Sequence, residues 1–321
     1  MPNITYLIGA GASANALPLI KENRETNKNG LAKELMSFVR NNTSTLLQYN
    51  EGWDSSAIKK LTEIADTCLE FGTPDLYAKF LMETGDYLNY KLLKNLLSVY
   101  FKFEQEIRQS FDYRALTFLT TITQSQKIPE NIKILSWNYD VQIELAAKKL
   151  KPISPSGYPF VQGFKCWPNL EDGEQNSNNP FLLHLNGVAG FFYSERSLSQ
   201  KIDNHFHFKS VLDKEILLSF AWEDENIVKN NTFFENRLKI TKNIASQTEI
   251  LVVIGYSFPF FNRKIDKEIF ESMNPSIRKI YFQDPFNNGE RIKELFDLNE
   301  VARNNIIHVA QTENYHIPFE L

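Results

Sequence analysis

The segment ITYLIGAGAS, residues 4–13, runs from a short and mostly apolar stretch into a turn with two closely spaced glycines. The stretch Ile4–Ile8 is short and is followed by Gly9, which favours a buried strand over a helix. A strand that leads into G-x-G is typical of the phosphate-binding turn of nucleotide folds. The same pattern also serves an ordinary tight exit from a strand, so the motif alone leaves both interpretations open.

The last third of the chain indicates the fold class, because strand and helix patterns alternate there. Strands are predicted over 249–254, 278–282 and 305–309, and helices over 262–273 and 289–298. Such alternation is typical of βαβ units and a parallel sheet. Two further strands are predicted over 132–135 and 181–185. We therefore predict an α/β fold with a Rossmann-like parallel sheet flanked by helices.

A large helical insertion is predicted after the first strand. Helical patterns cover 30–40, 56–69, a segment that opens at Thr73-Pro74, and 86–109. No second strand ends in an acid about 20 residues after the glycine turn, which disfavours an ordinary hydride-transferring dehydrogenase. We predict a single domain over 1–321 with a helical insertion over 21–130, a long loop over 151–180, and a smaller helical subdomain over 188–248 with helices at 209–222 and 232–245.

The composition excludes several classes of protein. The chain has 321 residues, 42% of them hydrophobic, and a formal net charge of -4, which gives no global reason to bind nucleic acid or an anionic membrane. Cys68 and Cys166 are too few for a disulfide framework or a zinc ribbon, and His205 with His207 alone make no metal site. No uncharged apolar run approaches about 18 residues. We expect a cytoplasmic chain with no metal, no membrane partner and no direct nucleic-acid partner.

Polar and small residues stand at the predicted strand ends, where an open parallel sheet binds its ligand. They are Gly9, Ala10, Gly11 and Ser13 after the first strand, Asn138 and Asp140 in SWNYD, His184 and Asn186 in FLLHLNG, Gly255 and Ser257 in GYS, and Asp284.

The side chains after the second and third strands have two interpretations each. Asn138 and Asp140 either cap the following helix or face a ribose, where a carboxamide orients a hydroxyl and a carboxylate stabilises positive charge. His184 is either a hydrogen-bonded core histidine or a functional group. Asn186 lies two residues on and would share a face with His184 if both were in a strand.

The order of these motifs resembles the sirtuin superfamily, in particular the bacterial defence-associated sirtuin-like NADases that carry no zinc module. The resemblance extends from Gly9 to about Asp284 and depends on GAGAS with Leu17-Pro18, on SWNYD, and on GYS. In that family the catalytic histidine immediately precedes a glycine. Here Asn186 precedes Gly187, and His184 is displaced by two residues.

The resemblance implies roles for the same residues. Gly9, Ala10, Gly11 and Ser13 would hold the pyrophosphate of NAD, which is the substrate, and Gly255, Ser257 and Asp284 would contact the adenosine side. Asn138, Asp140 and His184 would be catalytic, unless the base is lost and Asn186 stands in its place.

The expected function is NAD glycohydrolysis to nicotinamide and ADP-ribose, used in abortive infection against phage. Such an enzyme must stay silent until triggered, so the resemblance also implies a homo-oligomer and a separate protein partner that regulates it. Two alternatives stay open. One is a non-hydrolytic module that binds NAD or ADP-ribose, and the other is a protein deacylase or ADP-ribosyltransferase.

Overall fold

The structure is a computed structural model. It describes residues 1–22, 29–44, 46, 55–150, 163–168, 177–192, 200–201, 216–223, 231–286 and 289–321. Most of the loop predicted over 151–180 lies outside these residues, as do His205, His207 and the first part of the helix predicted over 209–222.

One seven-stranded sheet, parallel throughout, forms the centre of the fold. The strands of the described residues are β1 Ile4–Ile8, β2 Ile132–Ser136, β3 Cys166–Trp167, β4 Leu182–His184, β5 Gly187–Phe192, β6 Gln200–Lys201, β7 Ile216–Leu218, β8 Ile250–Ile254, β9 Lys279–Gln283 and β10 Ile306–Val309. The order in the large sheet is β10-β9-β8-β1-β2-β4-β3. Strand β1 is therefore central, with β2 on one side and β8 on the other.

Helices cover both faces of this sheet. Along the chain the described α-helices are α1 Leu31–Asn41, α2 Ser55–Phe71, α3 Pro74–Glu83, α4 Tyr87–Lys102, α5 Tyr113–Ile122, α6 Gln142–Lys149, α7 Asn231–Ser246, α8 Arg263–Met273, α9 Glu290–Leu295 and α10 Glu300–Asn304. Tyr6 and Ile8 of β1 pack with α5 and α6, whereas Leu7 packs with α7 and α8 on the other face. The alternation arises because successive side chains of a strand point to opposite faces. The predicted α/β, Rossmann-like fold is confirmed.

The insertion after β1 is helical in its described residues. Thr73 accepts a hydrogen bond from the Leu76 N–H at the start of α3, and Asp86 accepts one from the Asn89 N–H at the start of α4. Helix α4 is buried on nearly all sides, since it packs against α2 and α3 and also against β5. It continues into a π-helical turn over Phe103–Ile107.

The region over 188–248 differs from the expectation of a helical subdomain. In its described residues β5, β6 and β7 form a small antiparallel sheet, and α7 is the one long helix. The helix predicted over 209–222 is wrong at Ile216–Leu218, which pair with β5 as strand β7. The run ILL is short and apolar, and periodicity does not separate a buried strand from a helical turn in such a run.

Candidate functional site

The strands that carry the predicted site residues end at one edge of the sheet. Ile8, the last residue of β1, lies opposite Ser136 of β2 and Ile254 of β8, and Ser136 lies opposite His184 of β4. Because the strands are parallel and in this register, the residues that follow them are neighbours. The structure thus brings the GAGAS, SWNYD, HLNG and GYS segments to a common edge.

A buried polar cluster joins the first two of these segments. The Asn138 Nδ2 donates to the Ser13 Oγ at 3.1 Å. Ser13 also hydrogen-bonds to the carboxyl of Asp140, and all three side chains are buried. Burial raises the pKa of Asp140 to about 6, although the hydrogen bonds from Ser13 and from the Gln142 N–H lower it in part. The carboxyl of Asp140 therefore titrates at a higher pH than an ordinary aspartate, with a pKa of about 6.

Asp140 also caps helix α6 in part. Its Oδ1 accepts a hydrogen bond from the N–H of Gln142, the first residue of that helix, at 3.1 Å. The capping interpretation of SWNYD holds only in this form, since the N-cap residue is Val141 and Asp140 precedes it. It does not account for Asn138, whose carboxamide points to Ser13 in the neighbouring segment.

His184 is buried and has an acceptor at each ring nitrogen. Its Nε2 lies 2.7 Å from Glu144 Oε1, and its Nδ1 lies 3.4 Å from the carbonyl oxygen of Asn138. Burial alone lowers the pKa of the imidazole, but the charge and hydrogen bond of Glu144, the Asn138 carbonyl and the charge of Asp140 outweigh it, so the pKa is raised. This is the geometry of a hydrogen-bonded core histidine.

Asn186 is placed differently from His184. Strand β4 ends at His184, and residues 185–186 form a turn into β5, so the alternation rule that would put both side chains on one face does not apply. The Asn186 Nδ2 donates to the Trp137 carbonyl at 3.4 Å, and its buried Oδ1 accepts no hydrogen bond from the described residues.

The glycines of GAGAS pack against the end of β8. The Gly9 N–H donates to the Ile254 carbonyl and the Gly11 N–H donates to the Gly255 carbonyl, each at 3.0 Å. A Cβ at Gly11 would lie 2.6 Å from the Gly255 Cα. Both glycines are therefore required for backbone contact, as the tight-exit interpretation predicts, and their N–H groups face the protein. Ala10 and Ser13 bound the 3-10 turn that follows.

A buried ion pair holds the carbonyls of this turn. The motifs did not reveal it because Asp112 and Arg114 lie about 100 residues after the turn. The Arg114 guanidinium pairs with Asp112 at 2.6 Å and donates to the carbonyls of Gly11 and Ala12 at 3.2 and 3.0 Å. The Tyr315 hydroxyl donates to the Ala12 carbonyl as well, at 2.7 Å. Glu144, the partner of His184, is a further residue that the motifs did not reveal.

A further polar network lies on the opposite face of the sheet, at the same edge. Asp266 on α8 accepts hydrogen bonds from the Trp137 Nε1 at 3.1 Å and from the Tyr256 hydroxyl at 2.7 Å. Asn262 Nδ2 donates to the Tyr256 oxygen at 2.9 Å. Burial raises the pKa of Asp266 to about 8. The network ties the exit of β2 to the exit of β8.

Ser257 and Asp284 lie at the outer part of this edge. Ser257 is exposed after β8, and Asp284 is half-buried after β9, where its Oδ1 accepts from the Phe286 N–H at 2.9 Å. The Gly255 N–H donates to the Gln283 carbonyl at 3.1 Å, so the two exits are adjacent. In the described part of the chain no hydrogen bond links Ser257 or Asp284 to Asn138, Asp140 or Ser13.

Comparisons with known proteins add no relatives. No family model matches the chain, and no curated protein matches it. Within the described ranges, no three His, Cys, Asp or Glu side chains form a group that could hold a metal ion. No helix in the part of the chain that the structure describes is long and apolar enough to cross a membrane.

Proposed function

We propose that this chain is an NAD glycohydrolase that cleaves NAD to nicotinamide and ADP-ribose. The observation that carries the proposal is the buried Asn138–Ser13–Asp140 cluster at the carboxyl ends of the parallel strands. Ligands of open α/β sheets bind at this edge. The cluster offers a carboxylate, which can stabilise positive charge on a ribose, and a carboxamide, which can orient a ribose hydroxyl or a water.

The proposed reaction needs charge stabilisation and one water. The bond between the ribose C1′ and the nicotinamide nitrogen breaks, and its electron pair leaves with the nicotinamide, which becomes neutral. The ribose is then cationic, and the Asp140 carboxylate stabilises it. Water adds to C1′ and gives its proton to Asp140, which passes it to solvent. A carboxyl with a pKa of about 6 is mostly ionised at pH 7 and can accept that proton.

The proposed NAD position follows the strand ends. Asn138, oriented by Ser13, would hold a ribose hydroxyl or the attacking water. The pyrophosphate would lie at the 3-10 turn over Ala10–Ser13, where Gly9 and Gly11 contribute close backbone packing rather than N–H donors. Gly255, Ser257 and Asp284 would face the adenosine side.

The biological role in the proposal depends on the sequence resemblance. It comprises cytoplasmic NAD depletion in abortive infection against phage, a homo-oligomer, and activation by a separate protein or by assembly. A second candidate is a module that binds NAD or ADP-ribose without cleaving it. Both ring nitrogens of His184 already contact protein oxygens, so the imidazole has no free lone pair for the substrate. This observation favours the second candidate. A deacylase or ADP-ribosyltransferase is the third.

The test is direct. Pure full-length chain is incubated with NAD, nicotinamide release is followed by chromatography, and thermal unfolding is measured with and without ADP-ribose. Release that Asn138→Ala abolishes supports the glycohydrolase. Thermal protection by ADP-ribose without release, including after addition of infected-cell extract, supports the binding module. Absence of both release and protection contradicts both functions.

A further inference from the structure

Glu144 and His184 form a buried pair next to the proposed site. His184 is 1% exposed and Glu144 3% exposed. The Nε2 of His184 faces a carboxylate oxygen at 2.7 Å, and its Nδ1 faces a peptide carbonyl. A carbonyl oxygen and an ionised carboxylate accept hydrogen bonds but cannot donate them. An imidazolium carries a proton on each nitrogen and can donate to both acceptors, so this geometry fits an imidazolium beside an ionised Glu144.

The surroundings of Glu144 favour the same charge on His184. Its Oε2 has no hydrogen-bond partner among the described residues, and its Oε1 has His184. A buried carboxylate is stable only when an opposite charge or a proton compensates it. Within the described ranges, His184 is the group in contact with Glu144 that can carry a positive charge, and a proton on each of its ring nitrogens would neutralise Glu144.

The contact of His184 with Asn138 connects the pair to the proposed site. His184 Nδ1 approaches the carbonyl of Asn138, and the side chain of the same Asn138 donates to Ser13. The carbonyl and the side chain of Asn138 are joined through the same Cα, so a fixed carbonyl restricts the direction of the side chain. Two charged groups face the His184 ring, Glu144 from α6 and Asp140 from the β2–α6 connection. Arg237 from α7 donates to the carbonyl of Leu185, the residue after His184.

We propose that Glu144 is a positioning residue, which keeps His184 as an imidazolium so that His184 holds the Asn138 carbonyl and directs Asn138 toward Ser13. His184 is then a second positioning residue and not the base of the reaction. The role in turnover rests on the proposed function, whereas the protonation state of His184 does not.

The protonation state is tested by NMR of full-length chain with labelled histidine, between pH 5 and pH 9. His184→Gln assigns the His184 signal. In the wild type both ring nitrogens of His184 are expected to stay protonated at pH 7. Glu144→Gln keeps the shape of the side chain but removes its charge, so the ring should lose its proton at a lower pH. A neutral His184 ring at pH 7 in the wild type, or the same titration in both chains, contradicts the proposal.

The positioning role is tested by the pH profile of nicotinamide release. Glu144→Gln should lower kcat at pH 8 by about tenfold or more, since small misplacements of a reacting group are costly, and the loss should be smaller at pH 6. Glu144→Asp, which restores the charge, should recover part of the rate. Glu130→Gln is the control, since Glu130 is exposed just before β2, and its rate should equal that of the wild type.

The outcomes separate the two proposals. A loss that is equal at every pH and is not recovered by Glu144→Asp means a merely structural role and overturns the inference. If the wild type releases no nicotinamide either alone or after addition of infected-cell extract, the proposed function fails, and affinity for ADP-ribose becomes the readout of positioning. Glu144→Gln should then weaken binding of ADP-ribose by about tenfold or more, and unchanged affinity contradicts the inference.

Discussion

Gly11 and Gly255 are in backbone contact, and the N–H of Gly11 donates to the carbonyl of Gly255 at 3.0 Å. The contact joins the turn after β1 to the exit of β8, two segments at opposite ends of the sequence. Gly255 has a φ of +57°, in the left-handed region that glycine adopts without strain. The GAGAS and GYS segments therefore pack against each other through these glycines, and the position of the Ala10–Ser13 turn depends on both.

Gly255→Ala is expected to disrupt this contact. The added Cβ would overlap the backbone of Gly11 and Ala12. Gly72→Ala is the matched control, because Gly72 has a φ of +80° but nothing within 4 Å of its added Cβ. The free energy of unfolding should fall by about 1–3 kcal/mol more in Gly255→Ala than in Gly72→Ala. Denaturant unfolding measures this difference, and equal losses would show that the steric contact is unimportant.

Asn138→Ala is expected to keep the fold and remove NAD turnover. The carboxamide lies after β2 and not within the apolar core, and Ser13 retains its bond to Asp140. Loss of one preorganised polar group typically lowers the rate by about 10²–10³. Nicotinamide release gives the rate, and thermal unfolding checks the fold, with the exposed carboxamide of Asn305 replaced in a control, Asn305→Ala. Turnover within about threefold of the wild type would remove Asn138 from the site.

Ser13→Ala is expected to shift the pH profile of turnover. The hydrogen bond from Ser13 lowers the pKa of Asp140, which burial raises to about 6. Its removal raises that pKa, so Asp140 needs a higher pH to ionise. The acidic limb of kcat/KM should move to higher pH, while Ser13→Thr, which keeps a hydroxyl, should leave the limb in place. A limb that moves to lower pH, or does not move in Ser13→Ala, contradicts this role of Ser13.

Local patterns predicted six of the seven strands of the large sheet and the segments at its edge, but not β3, because Cys166–Trp167 lie in the loop predicted over 151–180. Buried parallel strands are short apolar runs that end at glycine or polar residues, and β1, β2, β4, β8 and β9 all have this form. Strand β7 was not predicted because ILL has no alternation that separates strand from helix. Its pairing with β5 is decided by tertiary contacts with α4 and with the turn at residues 185–186.

The supporting residues of the site could not be predicted from the sequence. Arg114 and Tyr315 reach the carbonyl of Ala12 from distant parts of the chain. Glu144 lies four residues after Asp140, yet its contact with His184 depends on the β2–β4 pairing. A motif includes the side chains at a strand end, but not the side chains from other parts of the chain that the fold brings into contact with them.

Arg114→Lys is expected to loosen the turn after Ala10. A lysine keeps the charge opposite Asp112, but it lacks the planar fork that reaches Asp112 and two carbonyls together. The increase in Tm that ADP-ribose produces should be smaller in Arg114→Lys than in the wild type. This decrease should exceed the decrease in Tm of the ligand-free protein. Tyr315→Phe, which removes only one hydroxyl contact to Ala12, should have a smaller effect in the same direction. Full protection in Arg114→Lys would show that the turn does not contact the ligand.

Asp266→Asn is expected to make the protein more stable at alkaline pH. Burial raises the pKa of Asp266 to about 8 in the folded state, whereas an unfolded aspartate has a pKa of about 3.9. An asparagine stays neutral and keeps an oxygen for the Trp137 Nε1, but it loses the hydrogen bond that the Tyr256 hydroxyl donates to Asp266, and this loss does not depend on the protonation of residue 266. The exposed Asp297 provides the control variant, Asp297→Asn, which should match the wild type at every pH.

The direction of the effect follows from proton linkage. Between about pH 4 and pH 8 the folded wild type holds a proton on Asp266 that the unfolded chain has lost, so rising pH favours unfolding. Asp266→Asn lacks this dependence, while the contributions of Asp140 and His184 are common to both proteins. The stability difference in favour of Asp266→Asn should therefore grow from pH 5 to pH 8.5 by more than about 1.4 kcal/mol, the equivalent of one pKa unit. Denaturant unfolding at the two pH values measures it, and a difference that stays constant or shrinks would mean that Asp266 is ionised in the folded protein.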